Sequence, residues 1–183
     1  DSSFKRVAAK GSMLRAVVLP ASGGQTEFAD MRAAYDALDE KRKSWLDDKV
    51  AVHSYRYSQG QIGGLDLMSN AELDAIPPVE HQVVKTHPDS RRKLLYLGRH
   101  ASHLVGEDLE ASRALLQDLC AAACQPPRVY THEWLPGDVV LWDNRCVLHR
   151  ARPWPADEKR DMRRTTIAGD DPQNEWSMDS AAQ

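Results

Sequence analysis

The stretch GDVVLWDNRCVLHRARPW, residues 137–154, is the part of the chain from which the fold is predicted. Apolar and β-branched residues run over 139–142 and resume at 147–148, which predicts two strands around a turn at Asp143–Arg145. His149 ends the second apolar run, and several arginines follow it. A buried strand that delivers a histidine and leads to arginines can hold a metal at one point and anions beyond it.

The composition indicates one globular domain of modest charge. The chain has 183 residues, 42% of them hydrophobic, a net charge of −3 and a pI near 6.2. That length supports a real core, and the charge gives no general attraction to nucleic acid or anionic membrane. No apolar run approaches the ~20 residues of a membrane span, and the first residues lack the apolar core of a secretion signal. We therefore expect a soluble cytoplasmic protein that binds neither nucleic acid nor membrane.

The rest of the chain predicts a mainly β protein with helical inserts. Alternating apolar residues predict strands over 11–20, 25–28, 49–57 and 129–134 and a hairpin of HQVVKTHP and KLLYLGRH around a turn at 89–92. Helical spacing predicts a capped helix from Asp30 to Leu46, with a break near 39–41, and a clear helix over 109–124. The glycine- and proline-rich segment 58–78 predicts a long mobile loop and a candidate active-site lid.

Cysteine usage indicates no cross-linked framework. The three cysteines, Cys120, Cys124 and Cys146, form an odd number without a CxxC pair. This pattern favours neither disulfides nor a zinc ribbon, so we expect reduced packing residues.

Several segments in the same order resemble one enzyme family. The segments are GGQTEFADMRAAYDAL, LLYLGRHASHLVG, HEWLPGDVVLWDNRCVLHRA and RRTTIAGD. They resemble the taurine dioxygenase and 2,4-dichlorophenoxyacetate dioxygenase (TauD/TfdA) family of Fe(II)- and 2-oxoglutarate-dependent enzymes. The resemblance implies a double-stranded β-helix, that is, a cupin-like jelly roll. It also implies one dioxygenase domain over 1–170, corresponding to the C-terminal portion of the family domain without its N-terminal segment, and a polar tail over 171–183.

The same resemblance implies the metal ligands. The family holds iron by an HxD motif and a distant histidine, which corresponds here to His149. Because the chain begins DSSF, Asp1 matches the aspartate of the motif, and the motif histidine would stand two positions before it. Two imidazoles and one carboxylate leave three coordination positions open for a bidentate 2-oxo acid and for O2.

The resemblance further assigns residues to 2-oxoglutarate and to the substrate. Arg160, with Thr26 and Trp142, would bind 2-oxoglutarate, and guanidinium suits its far carboxylate because it stays charged and binds in bidentate fashion. Arg164 would hold the anionic group of a small organic acid, and His100 would face that substrate. If 160–164 is a strand, both arginines lie on one face. An aryloxyalkanoate or a sulfonate would be hydroxylated with release of succinate and CO2.

Other interpretations of these residues stay open from sequence alone. A histidine at the end of a strand is often a core residue, Arg160 stands among charges that could form surface ion pairs, and Trp142 could be a core aromatic. A second possible function is that of a non-catalytic jelly-roll module that binds a small acid without iron. The HxxH spacing of His100 and His103 suggests a third function, that of a zinc hydrolase that also uses His149. A barrel with exposed edges also predicts a homo-oligomer.

Overall fold

The computed structural model describes residues 2–170, and the strands and helices below belong to that part of the chain. The strands are β1 (Gly11–Val18), β2 (Thr26–Asp30), β3 (Val50–His53), β4 (Val79–Gln82), β5 (Val84–Thr86), β6 (Lys93–Leu95), β7 (Ala101–Leu104), β8 (Val129–His132), β9 (Val139–Asp143), β10 (Val147–Ala151) and β11 (Asp161–Ile167). The helices are α1 (Met31–Asp36), α2 (Glu40–Leu46), α3 (Tyr55–Gly60), α4 (Asn70–Asp74), α5 (Leu109–Ala123) and a 3-10 turn at Leu65–Leu67.

Two antiparallel sheets position the site. One has the strand order β11-β1-β9 and the other the order β10-β2-β8. Side chains join them: the Trp142 ring of β9 lies 5.3 Å from the Phe28 ring of β2 and 4.8 Å from the His149 ring of β10. The strands on either side of the Asp143–Arg145 turn therefore belong to different sheets, with their side chains meeting between them.

The helices α1 and α5 pack against β6, β7 and each other, and they carry much of the main core. Asp30 caps α1 by accepting hydrogen bonds from the Arg32 and Ala33 amides, as the sequence predicts. The helix α5 buries a stripe at three- and four-residue spacing, which is the period of an amphipathic helix. That stripe consists of Ser112, Leu116, Leu119 and Ala123. Leu116, Leu119 and Ala123 join the hydrophobic cluster built on Met31, Leu46, Leu94, Leu95 and Leu104.

The segment 49–78 differs from its prediction. The strand β3 ends at His53, and α3 follows because Ser54 accepts a hydrogen bond from the Tyr57 amide and starts a helix. The predicted long loop over 58–78 is wrong, since it contains the end of α3, a 3-10 turn and α4. A capping box between Ser69 and Glu72 starts α4.

The β5–β6 hairpin, the break between α1 and α2 and the long helix α5 are confirmed. All three cysteines are free, as expected. Within residues 2–170, no helix combines the length and the apolar character needed to cross a membrane.

Candidate active site

His149 lies in the middle of β10 rather than at the end of a strand. It pairs with Phe28 of β2, and the strand continues through Arg150 and Ala151, because β2 supplies backbone partners beyond the apolar run. Its ring packs on Trp142, and its Nδ1 atom is buried without a hydrogen-bond partner among the described residues. Burial lowers the pKa of His149, so the imidazole is neutral and keeps a lone pair for a metal.

A cavity of about 540 Å³ joins His149 to residues from distant parts of the chain. Its lining includes Ser3, Phe4, Tyr55, His100, His149 and Arg164. The volume is that of a small-molecule site, and the walls combine aromatic rings with several arginines, Arg164 among them. The structure therefore brings together three of the side chains singled out in the sequence, His100, His149 and Arg164.

A buried polar network orients Arg164. Its Nη2 atom donates to the Ser12 hydroxyl at 3.1 Å, and the same oxygen accepts from Asn144 Nδ2 at 2.9 Å. Asn144 Oδ1 in turn accepts from the indole N–H of Trp142 at 2.7 Å. Ser12 has no exposed surface and Asn144 is 7% exposed, so the bonds of Asn144 to Ser12 and Trp142 are shielded from water. The network fixes both the arginine and the ring that packs on His149.

His100 stands in the turn before β7 and presents an acceptor to its surroundings. The Ser58 hydroxyl donates to the Tyr55 carbonyl at 2.8 Å, so it must accept from His100 Nδ1, also at 2.8 Å. Burial, together with the charge of Arg99, lowers the pKa of His100 to about 4. The ring is neutral at pH 7, and its second nitrogen carries a lone pair. It can form a wall or accept a hydrogen bond, but it does not attract an anion.

Thr26 is the first residue of β2, and Arg160 lies beside the segment that leads into that strand. Arg160 Nε donates to the Gly24 carbonyl at 3.2 Å, and a Cβ at Gly24 would stand 3.1 Å from that Nε, so glycine permits the approach. Arg160 Nη2 is buried with no partner among the described residues. Thr26 pairs with Ala151, which stands two residues beyond His149 on β10. The side chains of Thr26 and His149 therefore lie on the same face of the sheet as diagonal neighbours, about 7 Å apart.

The sequence that carries these site residues matches a known protein family over most of its length. A model of the taurine catabolism dioxygenase TauD, TfdA family matches residues 1–166. The chain belongs to the TauD/TfdA family.

Two relatives within the TauD/TfdA family are similar to this chain over most of its length. It is 48% identical over 175 residues to an (S)-phenoxypropionate/alpha-ketoglutarate-dioxygenase of Sphingobium herbicidovorans, covering 93% of this chain and 61% of that protein. It is 48% identical over 170 residues to an alpha-ketoglutarate-dependent 2,4-dichlorophenoxyacetate dioxygenase of Cupriavidus pinatubonensis, covering 93% of this chain and 59% of that protein. The chain thus spans about three fifths of the length of these relatives.

A solved structure confirms the fold. The crystal structure of AAD-2 in complex with Mn(II) and N-oxalylglycine is 46% identical, with a TM-score of 0.88 over 94% of this chain and 68% of that chain. The predicted mainly β fold with helical inserts, a cupin-like jelly roll of the TauD/TfdA type, is therefore correct.

Some of the predicted site residues are placed differently from expectation, and one is not described. Asp1 lies outside the described residues, as does the tail 171–183. Arg160 stands one residue before β11, and the β1–β11 register shifts between Ala16 and Val18 opposite the start of that strand. The argument that Arg160 and Arg164 share a face of one strand is therefore wrong. Burial nevertheless lowers the pKa of both guanidiniums, which stay charged.

The zinc interpretation gains no support from the arrangement of side chains. His103 lies on β7 with its Nδ1 against the Ser102 hydroxyl at 2.8 Å. Within residues 2–170, the potential metal-ligating group is His87, Asp143 and Cys146, which includes none of the three histidines of that hypothesis. Its carboxylate accepts several hydrogen bonds from Arg145, so the group serves as a structural junction.

Sequence reasoning missed the residues that support the site from a distance. Ser12 and Asn144 orient Arg164 and Trp142, while Phe4 and Tyr55 form a wall with His100. The local sequence predicts only that Asn144 lies in a turn. An amide next to a buried strand is a weak local signal, because its partner Ser12 stands 132 positions away.

Proposed function

We propose that this chain is the catalytic jelly-roll portion of an Fe(II)- and 2-oxoglutarate-dependent dioxygenase that hydroxylates a small aryloxyalkanoate and releases succinate and CO2. The observation that carries the proposal is one cavity lined by a neutral, buried histidine with an unpartnered Nδ1 and by an oriented arginine, His149 and Arg164. A cytoplasmic location and a homo-oligomeric state stay predictions, and light scattering of the purified protein measures the second.

The residues present fit the expected metal and co-substrate. His149 would supply one imidazole ligand and Asp1 the carboxylate, and the bound iron would supply the activation of O2. Arg160 would bind the far carboxylate of 2-oxoglutarate with its unpartnered Nη2, because a buried donor without a partner is costly until a ligand satisfies it. Thr26 accepts from Trp134 Nε1 at 3.0 Å, which leaves its own hydrogen for the same carboxylate. Trp142 would close the pocket beside His149.

Arg164 would bind the carboxylate of the substrate. Its guanidinium lines the cavity, lies 5.8 Å from the Trp142 ring centre and donates a hydrogen bond to the Ser12 hydroxyl, which orients it. The aromatic wall of Phe4, Tyr55 and His100 suits an aryl group. Neutral His100 does not attract an anion, and two other arginines of the lining, Arg145 and Arg150, are paired with carboxylates, so we assign the acid to Arg164.

The proposal is tested by product formation in the full-length gene product. With Fe(II), O2 and 2-oxoglutarate, 2,4-dichlorophenoxyacetate and phenoxypropionate are expected to yield succinate and a phenol, since hydroxylation beside the ether oxygen gives a hemiacetal that breaks down. Taurine serves as the sulfonate comparison. Absence of succinate with every acid would overturn the proposal and favour a binding module that takes up the acid without turnover.

The role of Arg164 has a matched control in its neighbour. Arg164→Leu is expected to raise the KM for the acid by about 30-fold or more, because a charge-assisted bond to the substrate carboxylate contributes about 2–3 kcal/mol. Arg163→Leu changes the arginine beside it, which does not line the cavity, and is expected to leave this KM within about twofold. Equal effects of the two substitutions would contradict the assignment.

A further inference from the structure

The turn formed by residues 2–5 is held in a strained shape. Ser2 has a φ of 50°, a left-handed conformation that costs a residue with a side chain roughly 1 kcal/mol or more. The Lys5 amide donates to the Ser2 carbonyl at 2.9 Å, and the Ala9 amide donates to the Ser2 hydroxyl at 2.9 Å. Such strain persists only where the surroundings determine the conformation, so the contacts of the next residue matter.

Two histidines from neighbouring strands hold Ser3. His53 of β3 bonds the Ser3 hydroxyl through Nδ1 at 2.9 Å, and His81 of β4 bonds the Ser3 carbonyl through Nε2 at 2.9 Å. The two rings stand edge to face with centres 5.0 Å apart. His53 has no exposed surface and Ser3 is 8% exposed, so the bond between them lies in the interior, whereas His81 is half-buried. Because Nε2 of His53 is buried with no partner among the described residues, the bond of Nδ1 to Ser3 is the side-chain hydrogen bond that this ring makes within that part of the chain.

Lys85 determines which nitrogen of His81 carries the hydrogen. Its Nζ lies 3.2 Å from His81 Nδ1 and 3.4 Å from the centre of the Tyr96 ring. Since an ammonium can only donate, Nδ1 of His81 accepts and Nε2 carries the hydrogen that is donated to the Ser3 carbonyl. Lys85 therefore determines that His81 is the donor and the Ser3 carbonyl the acceptor in this hydrogen bond.

The held turn supplies part of the cavity wall. Ser3 and Phe4 both line the cavity that contains His149, and the Phe4 ring packs 4.7 Å from Tyr55 and 4.9 Å from His100. The position that precedes the turn is that of Asp1.

We propose that His53 and His81 are positioning residues that clamp Ser3, so that the Phe4 ring and the start of the turn, to which residue 1 is attached, are held in a fixed arrangement beside the cavity. This inference rests on the proposed function, in which residue 1 supplies a metal ligand. Neither histidine touches the metal. Support for metal ligands of this kind typically changes metal affinity by 10–100-fold.

The two histidines use different nitrogens, and this allows a crossed test. When asparagine replaces a histidine, its side-chain amide lies near the position of Nδ1. When glutamine replaces a histidine, its amide lies near the position of Nε2. In the full-length gene product, Mn(II) affinity is measured by the EPR signal of the free ion. His53→Asn and His81→Gln are expected to bind Mn(II) within about threefold of wild type, whereas His53→Gln and His81→Asn are expected to lose about tenfold or more.

Further variants separate positioning from folding. Ser3→Ala removes only a hydroxyl and keeps the core volume, and its effect combined with His53→Gln is expected to be non-additive. His103→Asn, on the neighbouring strand, is expected to leave Mn(II) affinity unchanged. In the metal-free protein, hydrogen exchange at the Lys5 and Ala9 amides, which close the turn, is expected to be about tenfold faster in His81→Asn than in His81→Gln.

Each outcome decides between the inference and the proposed function. The crossed pattern, with exchange at the turn amides following it, supports the clamp. Equal Mn(II) affinity in folded His81→Asn and His81→Gln overturns the clamp and leaves the proposed function standing. A wild-type protein that does not bind Mn(II) overturns the proposed function and with it the metal-positioning role.

Discussion

At the scale of single residues, burial acts on the imidazoles and the guanidiniums of the site with different results. It lowers the pKa of His149 and brings that of His100 to about 4, so both rings are neutral at pH 7. It also lowers the pKa of Arg160 and Arg164, but guanidinium remains charged because its ordinary pKa is so high. The candidate site therefore offers a lone pair on His149 for a metal, and fixed positive charges on Arg160 and Arg164 for carboxylates.

Replacing Arg160 by lysine tests the second of these roles. Nε of Arg160 is used on the Gly24 carbonyl, and Nη2 remains for a ligand, while a lysine has one nitrogen and cannot hold both. Arg160→Lys is expected to raise the KM for 2-oxoglutarate by about 10-fold or more while the KM for the acid changes little. Steady-state kinetics with each substrate varied measures this. Arg163→Lys is the control, and an unchanged KM for 2-oxoglutarate in Arg160→Lys would contradict the assignment.

At the scale of elements, the turn between β9 and β10 is locked by Asp143. Its carboxylate accepts from His87 Nε2 at 3.0 Å and from Arg145 through the backbone amide and the guanidinium, which ties the turn to the loop of the β5–β6 hairpin. Burial opposes its ionisation, but the hydrogen bonds from Arg145 and His87 outweigh it and lower the pKa to about 2. The lock holds the segment that leads into the strand of His149.

This lock predicts an acid-sensitive contribution to stability. The pKa of Asp143 is about 2 in the fold against an ordinary value of 3.8, so its contribution is present above about pH 4 and is lost as the pH falls toward 2. It corresponds to about 2 kcal/mol. Asp143→Asn is expected to lower the free energy of unfolding by about that amount at pH 7 and much less near pH 2.

Urea unfolding across this pH range measures the difference between wild type and variant. The control is Asp47→Asn, which removes an exposed ion pair with Lys93 and should cost under about 1 kcal/mol at pH 7. A difference between wild type and Asp143→Asn that does not shrink toward pH 2 would show that the carboxylate charge is not the cause.

At the scale of the whole molecule, the two sheets face each other and assemble the site from segments far apart in the chain. The register places Ser12 opposite Trp142 and Leu14 opposite Arg164, while His149 approaches from the other sheet. A ligand that binds across this space contacts only the folded chain, so it must raise the stability of the fold.

Ligand-dependent stability is therefore expected for the full-length gene product. Mn(II) with N-oxalylglycine at about 100 times the dissociation constant should stabilise the fold by about 2.7 kcal/mol and raise the unfolding temperature by a few degrees. His149→Ala should remove most of this shift, whereas His103→Asn should keep it. Differential scanning fluorimetry measures the shift, and an equal shift in His149→Ala would place the ligand elsewhere.

Much of the fold was predictable because its signals are local. The Asp30 cap, the stripe of α5 and the β5–β6 hairpin each depend on residues within a few positions of one another. The strand β3 was predicted, but the helices of 54–78 were missed because helices of five or six residues show little periodicity. The Ser69–Glu72 capping box was a usable signal there.

The sequence by itself determined which chemical groups the site can use: an imidazole at His149, guanidiniums at Arg160 and Arg164, and a hydroxyl at Thr26. Only the tertiary structure decided that Arg164 is oriented through Ser12 and Asn144, that His100 is an acceptor, and that His53 and His81 hold Ser3. The physical reason is that these bonds join residues 42 to 152 positions apart. Sheet register and burial bring such residues together, and neither leaves a periodic trace in the local sequence.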